Sequence, residues 1–252
     1  MRRSRIIPCL TILGGELVKT IGFKRPRYVG DPINAVKIFN EKEVDELVVL
    51  DIGASRFRRP VDEALIADLA SEAFMPMAYG GGVRDPAQAA GLSALGVEKI
   101  IVDSAAIAEP ALVTGIADRL GSSSTVASIS IKRDWRGRPR VFDPARRRLT
   151  GLKPAAHAQS LVGLGAGEIL LNDVDRDGRC RGLDMELVRS VAEAVDVPLI
   201  ACGGAGSVAD LAAGVAAGAS AVAAGSQFMF IGPHRAVLIN YPDEDELAEA
   251  VP

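Results

Sequence analysis

Short apolar runs rich in Val, Ile and Leu alternate with longer amphipathic segments along the chain. Apolar runs of about five residues bounded by glycine or polar residues predict buried strands, and apolar positions spaced three and four apart predict helices. We expect strands at Arg5–Leu10, Glu46–Asp51, Met75–Tyr79, Lys99–Asp103, Thr125–Ser130, Glu168–Asn172, Pro198–Cys202 and Ala221–Gly225. We expect helices at Asp31–Glu43, Val61–Ala73, Asp85–Gly96, Ala106–Arg119, Leu152–Leu164, Asp184–Ala194, Val208–Ala217 and Glu244–Ala250.

The boundaries of several predicted helices carry capping residues. Asp31, Asp85 and Ser207 stand where helix N-caps belong, and Gly96 and Gly218 stand where helices end. Eight strands alternating with eight helices in 252 residues is the count of an α/β fold of the closed (β/α)₈ type, a TIM barrel. An open doubly wound sheet is the alternative.

The two halves of the chain repeat each other. Glu46–Asp51 matches Glu168–Asp173 at an offset of 122 residues, and Gly81 matches Gly204 at an offset of 123. A repeat that maps one half onto the other favours closure of the barrel, because it predicts a duplicated (βα)₄ half-barrel. We therefore expect a single barrel domain over 1–252, with a two-fold repeat of about 1–120 and 121–252.

Two glycine-rich segments, Tyr79–Arg84 and Ala201–Gly206, each follow an apolar run and are followed by a second patch of small residues. Small residues at strand ends let backbone N–H groups approach an anion, and a helix N-terminus adds partial positive charge. The paired spacing predicts two phosphate sites and a ligand with a phosphate at each end; the alternative is that the glycines only make tight turns. The candidate phosphate-binding residues are Gly81, Gly82, Asp103, Ser104, Gly203, Gly204, Gly225 and Ser226.

Composition narrows the class of protein. Apolar residues make up 48% of the chain and aromatic residues only 4%, so the core is built from Ala, Val, Ile and Leu, as buried parallel strands require. A net charge of -3 gives no electrostatic reason to expect nucleic acid or an anionic membrane as partner. The basic start has too short an apolar stretch for a signal peptide, and we expect a cytoplasmic protein.

One uncharged segment, Leu211–Gly232, has the composition of a membrane span. Its Gly and Ala content is better explained by a helix at Val208–Ala217, a tight turn at Gly218 and a strand at Ala221–Ala224. The cysteines Cys9, Cys180 and Cys202 have neither metal-ligand nor redox spacing, so we expect buried thiols, no metal and no cofactor.

The sequence resembles the cyclase subunit of imidazole glycerol phosphate synthase over its whole length. The motifs that carry the resemblance are Arg5–Leu10, Asp45–Ile52, Gly80–Gly82, Leu164–Leu171, Asp175–Gly178 and Gly203–Gly206. The resemblance implies a half-barrel-duplicated fold that receives ammonia from a glutaminase partner at the bottom of the barrel. The ammonia crosses the interior and, at the top, cleaves and cyclises a doubly phosphorylated ribulosyl-formimino nucleotide.

The resemblance also identifies two degenerate catalytic positions. In that family an aspartate ends the first strand and another ends the fifth, but here these positions are Thr11 and Ser130. A hydroxyl cannot act as a general base near neutral pH without a neighbour that takes its proton. Asp103 also replaces the asparagine that is usual in the phosphate site, and we expect its charge to weaken phosphate binding there unless the side chain turns away.

Other positions match the family pattern. Arg5, Glu46, Lys99 and Glu168 correspond to the ring of charges that gates ammonia entry; the alternative is that they only plug the barrel floor. Lys19, Asp51, Lys132 and Asp177 correspond to residues around the substrate at the mouth.

Two further segments, Leu17–Glu43 and His234–Pro242, are more similar to a paralogous branch associated with sugar amidation in surface-polysaccharide pathways. The first of these is expected to be a loop and helix. That branch pairs with a glutaminase and supplies ammonia to an amidotransferase acting on a nucleotide-linked sugar. A histidine-biosynthesis cyclase using Asp51 or Asp177, and a catalytically silent barrel that activates a glutaminase, remain open.

The segment Lys132–Lys153 is rich in arginine, with seven arginines against Asp134 and Asp143. We expect a hairpin and loop over the mouth that attracts a phosphorylated sugar nucleotide or an acidic partner; a solvated loop is the alternative. One basic loop without interleaved aromatic residues does not favour nucleic-acid binding.

Overall fold

The computed structural model describes residues 4–251. The strands are β1 (Arg5–Leu13), β2 (Glu16–Ile21), β3 (Lys24–Gly30), β4 (Leu47–Asp51), β5 (Met77–Gly80), β6 (Lys99–Val102), β7 (Thr125–Arg133), β8 (Pro139–Asp143), β9 (Arg148–Leu149), β10 (Glu168–Asp173), β11 (Leu199–Cys202), β12 (Ala221–Ala224), β13 (Phe230–Ile231) and β14 (Ala236–Val237). The helices are α1 (Pro32–Glu41), α2 (Glu63–Glu72), α3 (Pro86–Ala94), α4 (Ser104–Ala108), α5 (Ala111–Leu120), α6 (Pro154–Gly163), α7 (Met185–Ala192), α8 (Val208–Ala216), α9 (Ser226–Met229) and α10 (Glu244–Ala250).

A parallel sheet closes on itself to form the barrel. The pairing runs β1–β4–β5–β6–β7–β10–β11–β12, and β12 returns to β1, where Arg5 pairs with Ala221 and Pro8 with Ala224. Helices lie between successive strands in the chain. The predicted (β/α)₈ barrel is therefore confirmed, and the open doubly wound sheet is wrong.

The predicted helix caps are present. Asp31, Asp85 and Ser207 accept hydrogen bonds from the backbone N–H groups of Asn34, Gln88 and Asp210, at 2.8, 2.8 and 3.2 Å. Each bond satisfies an N–H that the helix itself leaves without a partner.

The single helix predicted at Ala106–Arg119 is wrong. The structure has α4 and α5 in its place, separated by Glu109 and Pro110, and Glu109 has an extended φ of -139°. Proline has no N–H to donate and disfavours helical backbone at the residue before it, so the helix breaks there.

The expected loop before α1 is also wrong, because β2 and β3 form an antiparallel hairpin in which Ile21 pairs with Lys24. The two connecting residues, Gly22 and Phe23, have φ values of 59° and 58°. Positive φ at both central residues is the geometry of a type I′ turn, whose twist matches that of a hairpin. β2 also pairs with the last residues of β1, from Thr11 to Leu13. The hairpin therefore lies at the C-terminal end of the barrel strands.

The uncharged segment Leu211–Gly232 is divided between α8, β12 and α9. This confirms the predicted helix, turn and strand in place of a membrane span. Within residues 4–251, no helix combines the length and apolar character that crossing a membrane would require.

The barrel separates two cores. The larger core lies between the strands and the surrounding helices and contains Ile6, Leu10 and Phe39. The second fills the barrel interior with Ile7, Cys9, Val48, Ala78, Ile101, Val126, Leu170, Ile200, Cys202, Ala221 and Ala223. Because side chains alternate along a strand, the inward face of β1 presents Arg5, Ile7, Cys9 and Thr11 in order from one end of the barrel to the other.

Candidate functional site

Four charged side chains meet at the N-terminal end of the barrel strands, and we call them the floor ring: Arg5, Glu46, Lys99 and Glu168. Arg5 donates to both Glu46 and Glu168. Lys99 Nζ lies 2.9 Å from Glu46 Oε1 and 2.9 Å from Glu168 Oε2. Each cation therefore bridges both carboxylates, and the ring is closed.

The floor ring satisfies its own charges. Glu46 is 2% exposed and Glu168 4%, so neither carboxylate is stabilised by bulk water. Burial opposes the charge on Arg5, but the two carboxylates outweigh it and raise the pKa of the guanidinium. Removing one member of a buried ionic cluster leaves its partners uncompensated, which makes the ring an all-or-none arrangement.

A cavity opens at the other end of the barrel, at the C-terminal ends of the strands, and we call it the mouth. It encloses about 1230 Å³, including the part open to solvent. Ten of the sequence-predicted site residues line it: Thr11, Lys19, Asp51, Gly81, Gly82, Asp103, Ser104, Ser130, Asp177 and Gly225. Gly203, Gly204 and Ser226 do not line it, and Lys132 is directed over the ring of Phe142, with Nζ 5.6 Å from the ring centroid.

Both degenerate positions, Thr11 and Ser130, face the mouth with their hydroxyls already engaged. The Thr11 hydroxyl donates to the carbonyl oxygen of Val18 on β2. Ser130 Oγ donates to Asp103 Oδ2 at 2.7 Å. The Val18 carbonyl is not a base. Asp103 is a carboxylate in position to take the Ser130 proton, but one such residue does not replace a pair of carboxylates at the ends of two strands.

Asp103 follows β6 and lines the mouth, with its carboxylate against β7. Its Oδ2 accepts hydrogen bonds from Ser130 and, at 3.1 Å, from Ser128, while its Oδ1 is buried without a partner among residues 4–251. Burial raises the pKa of Asp103 to about 7, although the two serine hydroxyls oppose the shift. The side chain is thus turned toward β7, and its protonation changes near neutral pH.

The first glycine segment is packed tightly beneath the mouth. Gly81 has a φ of 131°, and a Cβ there would lie 2.6 Å from the carbonyl oxygen of Asp51. The N–H of Gly82 donates to Ser55 Oγ at 3.2 Å. Ser104 begins α4 and its hydroxyl accepts from the N–H of Ala145 at 3.0 Å. The glycines are therefore required by backbone packing, whether or not a phosphate binds.

The second glycine segment has the same close packing. Gly203 has a φ of 92°, and a Cβ would lie 2.6 Å from the carbonyl oxygen of Asp173. Beside it, Arg235 Nη2 donates to Ser226 Oγ at 3.3 Å and Nη1 donates to the carbonyl oxygen of Gly178 at 2.9 Å. Sequence reasoning missed this arginine, because it lies beyond the last barrel strand and has no counterpart in the half-barrel repeat.

Lys19 and Asp177 form the polar side of the mouth. Lys19 descends from β2, is 7% exposed and donates to the carbonyl oxygen of Cys9 beside Gly225. Asp177 Oδ2 accepts from Thr20 Oγ1 at 3.1 Å. Burial raises the pKa of Asp177, and the Lys19 ammonium opposes that shift.

Asp51 also has a structural function. Its Oδ1 accepts hydrogen bonds from the N–H groups of Gly53 and Ala54, at 2.8 and 3.0 Å, and so closes the turn after β4. The histidines lie elsewhere: His157 is buried on α6, and His234 is exposed between β13 and β14. Within residues 4–251, no group of three histidine, cysteine or acidic side chains is arranged to hold a metal ion.

The chain is thus a parallel (β/α)₈ barrel with small-residue turns at its mouth and a closed charge ring at its floor. The family described as "Histidine biosynthesis protein" matches residues 5–232, and the chain belongs to it.

The chain is 50% identical over 248 residues to "Putative imidazole glycerol phosphate synthase subunit hisF2" of Pseudomonas aeruginosa, covering 98% of this chain and 99% of that protein. It is 46% identical over 248 residues to "Putative imidazole glycerol phosphate synthase subunit HisF" of Leptospira interrogans, with 98% of each chain covered. It is 43% identical over 213 residues to "Imidazole glycerol phosphate synthase subunit HisF" of Myxococcus xanthus, with 84% of each chain covered.

Proposed function

We propose that this chain is the ammonia-handling barrel of a glutaminase-linked complex and that it has lost the cyclase reaction. The closed floor ring carries this proposal. Four buried or half-buried charges at one end of a barrel are costly unless each is paired, and apolar residues would fill the same space at no such cost. A ring that separates the bottom surface from the interior fits a gate for a small polar molecule better than it fits a simple plug.

The interior above the ring suits neutral ammonia. Small side chains from β5 and β12, at Ala78, Ala221 and Ala223, face the axis among aliphatic neighbours. An apolar interior strongly disfavours ammonium, because an ion loses its hydration there. Lys99 is the member whose displacement would open the ring, since its flexible stem holds a single point charge and its side chain is already 19% exposed.

The loss of cyclase chemistry follows from the mouth. Thr11 and Ser130 offer only hydroxyls, and Asp51 is held by the turn after β4. Asp103 supplies a single carboxylate beside Ser130, where the family pattern has two at the ends of two strands. Burial raises the pKa of Asp177, but its Oδ2 is already engaged by the Thr20 hydroxyl. A histidine-biosynthesis cyclase that makes imidazole glycerol phosphate with these substitute groups is therefore the less favoured function, and a catalytically silent barrel that activates the glutaminase is the third.

The partners follow from the same assignment. The glutaminase, of the type that serves this synthase family, docks at the bottom of the barrel around the floor ring. The ammonia passes on to a sugar amidotransferase that modifies a nucleotide-linked sugar in O-antigen or lipopolysaccharide biosynthesis, inside the cytoplasm. A phosphorylated small molecule occupies the glycine-rich cradles at Gly81, Gly82, Gly203 and Gly204.

Two assays test this function. The first combines the purified chain with the ribulosyl-formimino nucleotide and an ammonium salt, and we expect no imidazole glycerol phosphate. Rapid formation of that product would overturn the proposal in favour of the cyclase. Gene neighbourhood gives an independent check, since a sugar amidotransferase gene supports the proposal and a histidine operon opposes it.

The second assay reconstitutes the chain with the glutaminase, the amidotransferase and ¹⁵N-amide glutamine. Lys99→Ala leaves the ring permanently open, so ammonia escapes and ¹⁵N transfer to the sugar should fall, while the reaction supported by an ammonium salt should be unchanged. Lys37→Ala is the matched control, because Lys37 lies on α1 and pairs with Glu72 at 3.3 Å, away from the barrel axis. Equal transfer by both variants would favour the silent barrel.

A further inference from the structure

The arginine-rich segment Lys132–Lys153 is not uniformly positive in the folded chain. Four of its arginines are committed to ion pairs, so they contribute little net potential. Arg133 pairs with Asp173 and Asp184, Arg138 and Arg140 with Asp134, and Arg146 with Asp143. The remaining three, Arg136, Arg147 and Arg148, have no carboxylate within 4 Å among residues 4–251.

Arg147 differs from the other two in its position. It follows β8 with a left-handed φ of 53°, and its Nη1 lies 3.3 Å from the carbonyl oxygen of Phe23 in the β2–β3 turn. This contact places the guanidinium at the edge of the mouth, which it lines together with Arg56 from the loop after β4. Arg136 instead stacks over Trp135 at the tip of the β7–β8 hairpin, 4.3 Å from the ring centroid, and is not part of the lining.

A second depression adjoins the mouth, and we call it the rim cleft. It shares Thr20, Phe23, Ile52, Arg56 and Arg147 with the mouth, so the two spaces are continuous. It encloses about 830 Å³, including the part open to solvent. The full lining is Leu13, Thr20, Phe23, Lys24, Arg25, Pro26, Ile52, Arg56, Phe57 and Arg147.

The charge of the rim cleft is one-sided. Its lining contains four cations, Lys24, Arg25, Arg56 and Arg147, and no acidic residue. None of the four forms an ion pair within the described part of the chain. Four like charges around one concavity repel one another, and on a protein whose net charge is -3 they are a local exception rather than a general feature.

We propose that the rim cleft is an anion-binding subsite that takes the diphosphate group of a ligand whose other end occupies the mouth. Arginine guanidinium groups donate paired hydrogen bonds to phosphate oxygens, and Arg56 and Arg147 are positioned to reach both spaces. A diphosphate offers more acceptor oxygens, spread over a longer group, than a single phosphate does, so it can contact more of the four cations at once. The subsite is separate from the glycine-rich cradles, because none of their glycines lines it.

Isothermal titration calorimetry on the purified full-length chain tests this subsite without any glutaminase. Inorganic pyrophosphate and uridine diphosphate are the probes, with orthophosphate for comparison, at low ionic strength. We expect both diphosphates to bind more tightly than orthophosphate. Arg56→Ala/Arg147→Ala should weaken diphosphate binding by roughly tenfold or more, with a smaller salt dependence.

Arg136→Ala/Arg148→Ala is the matched control, because it removes the same charge from the same region outside both linings. It should change affinity by less than about twofold, since only screened, long-range attraction is lost. Equal weakening by the two double variants, or orthophosphate binding as tightly as pyrophosphate, would overturn the subsite. So would an absence of diphosphate binding to the unmodified chain. Failure here leaves ammonia delivery untouched, since that is measured by ¹⁵N transfer.

Discussion

The two ends of this barrel handle buried charge in opposite ways. At the floor, Glu46 and Glu168 each contact both Arg5 and Lys99, so every charge has an opposite charge beside it. At the mouth, Asp103 is held only by two serine hydroxyls, and one of its oxygens has no partner among residues 4–251. The charges of the floor ring therefore compensate one another, whereas the negative charge of Asp103 at the mouth can be compensated only by a proton or a ligand.

This difference determines which residues of the barrel can be replaced singly. A closed ionic ring loses most of its stability when a single member is replaced, so its members have to be kept together. The mouth has no such closed ring: the Thr11 hydroxyl donates to a backbone carbonyl, and only Ser130 is coupled to a charged group, Asp103, which it shares with Ser128. Thr11 can therefore be replaced without leaving a charge uncompensated, whereas no member of the floor ring can.

The largest expected effect concerns the floor. Glu168→Ala leaves Arg5 and Lys99 with one carboxylate between them and should lower the free energy of unfolding by about 4 kcal/mol. Urea unfolding at neutral pH measures it. Glu72→Ala is the control, because it breaks the exposed Lys37–Glu72 pair and should cost less than about 1 kcal/mol. Equal costs would mean that the floor ring is no more interdependent than a surface ion pair.

The next prediction concerns the charge of the mouth. The folded-state pKa of Asp103 is raised to about 7, so the folded chain binds this proton more tightly than the unfolded chain. Stability from this group is therefore present at low pH and is lost as pH rises from about 4 to about 7. Asp103→Asn should remove that loss and stabilise the chain by about 4 kcal/mol at pH 8, with little gain at pH 4.

Unfolding curves of the unmodified and Asp103→Asn chains across this pH range provide the measurement. Asp173 and Asp177 also have raised pKa values, mainly through burial, but they are common to both chains and cancel in the difference. A stability difference that does not vary with pH would contradict the prediction.

A third prediction tests whether the frame of the mouth is as rigid as the floor. Gly203→Ala places a Cβ 2.6 Å from the Asp173 carbonyl oxygen at a φ of 92°, and we expect a loss of about 2 kcal/mol in unfolding free energy. Gly151→Ala is the control, because a Cβ there meets nothing within 4 Å. Thermal unfolding of the two variants gives the comparison. An unchanged unfolding free energy for Gly203→Ala would show that the backbone around Gly203 can move to accommodate a Cβ.

The smallest effect is a gain of activity at the mouth. Thr11→Asp/Ser130→Asp should restore measurable but poor cyclase turnover with ammonium salt. Position 130 lies against Asp103, so a second carboxylate there repels the first and raises its pKa. Adding Asp103→Asn should therefore increase turnover by about tenfold. Product formation measures it, and complete silence of both variants would mean that the phosphate cradles no longer bind the substrate.

The barrel itself could be predicted because its strands are uninterrupted apolar runs, which parallel strands buried on both faces require. The β2–β3 hairpin was missed because its turn depends on Phe23 adopting a left-handed φ of 58°. Phenylalanine rarely adopts this conformation, so its presence at this position does not predict a turn. The break between α4 and α5 was overlooked because apolar periodicity continues across Pro110.

The floor ring and the glycine segments could be located from the sequence, through the resemblance and the repeat. The orientation of Asp103 could not, because it depends on Ser128 and Ser130 of the neighbouring strand. The contact of Arg235 with Ser226 and the rim cleft could not be predicted from the sequence either. They arise where loops from distant parts of the chain meet, and only folding brings Arg56 within the same cleft as Arg147.

The pairing of β12 with β1 has a consequence for the order of assembly during synthesis. Arg5 and Ala221 are partners, so the barrel cannot close until the ribosome has released β12, more than 200 residues after β1. Until then β1 has one free edge, a hazard for association with other nascent chains. Long-range closure of this kind slows folding, because an entropic cost is incurred before the contact is gained. The edge of β1 is therefore open to chaperones until this last parallel pairing covers it.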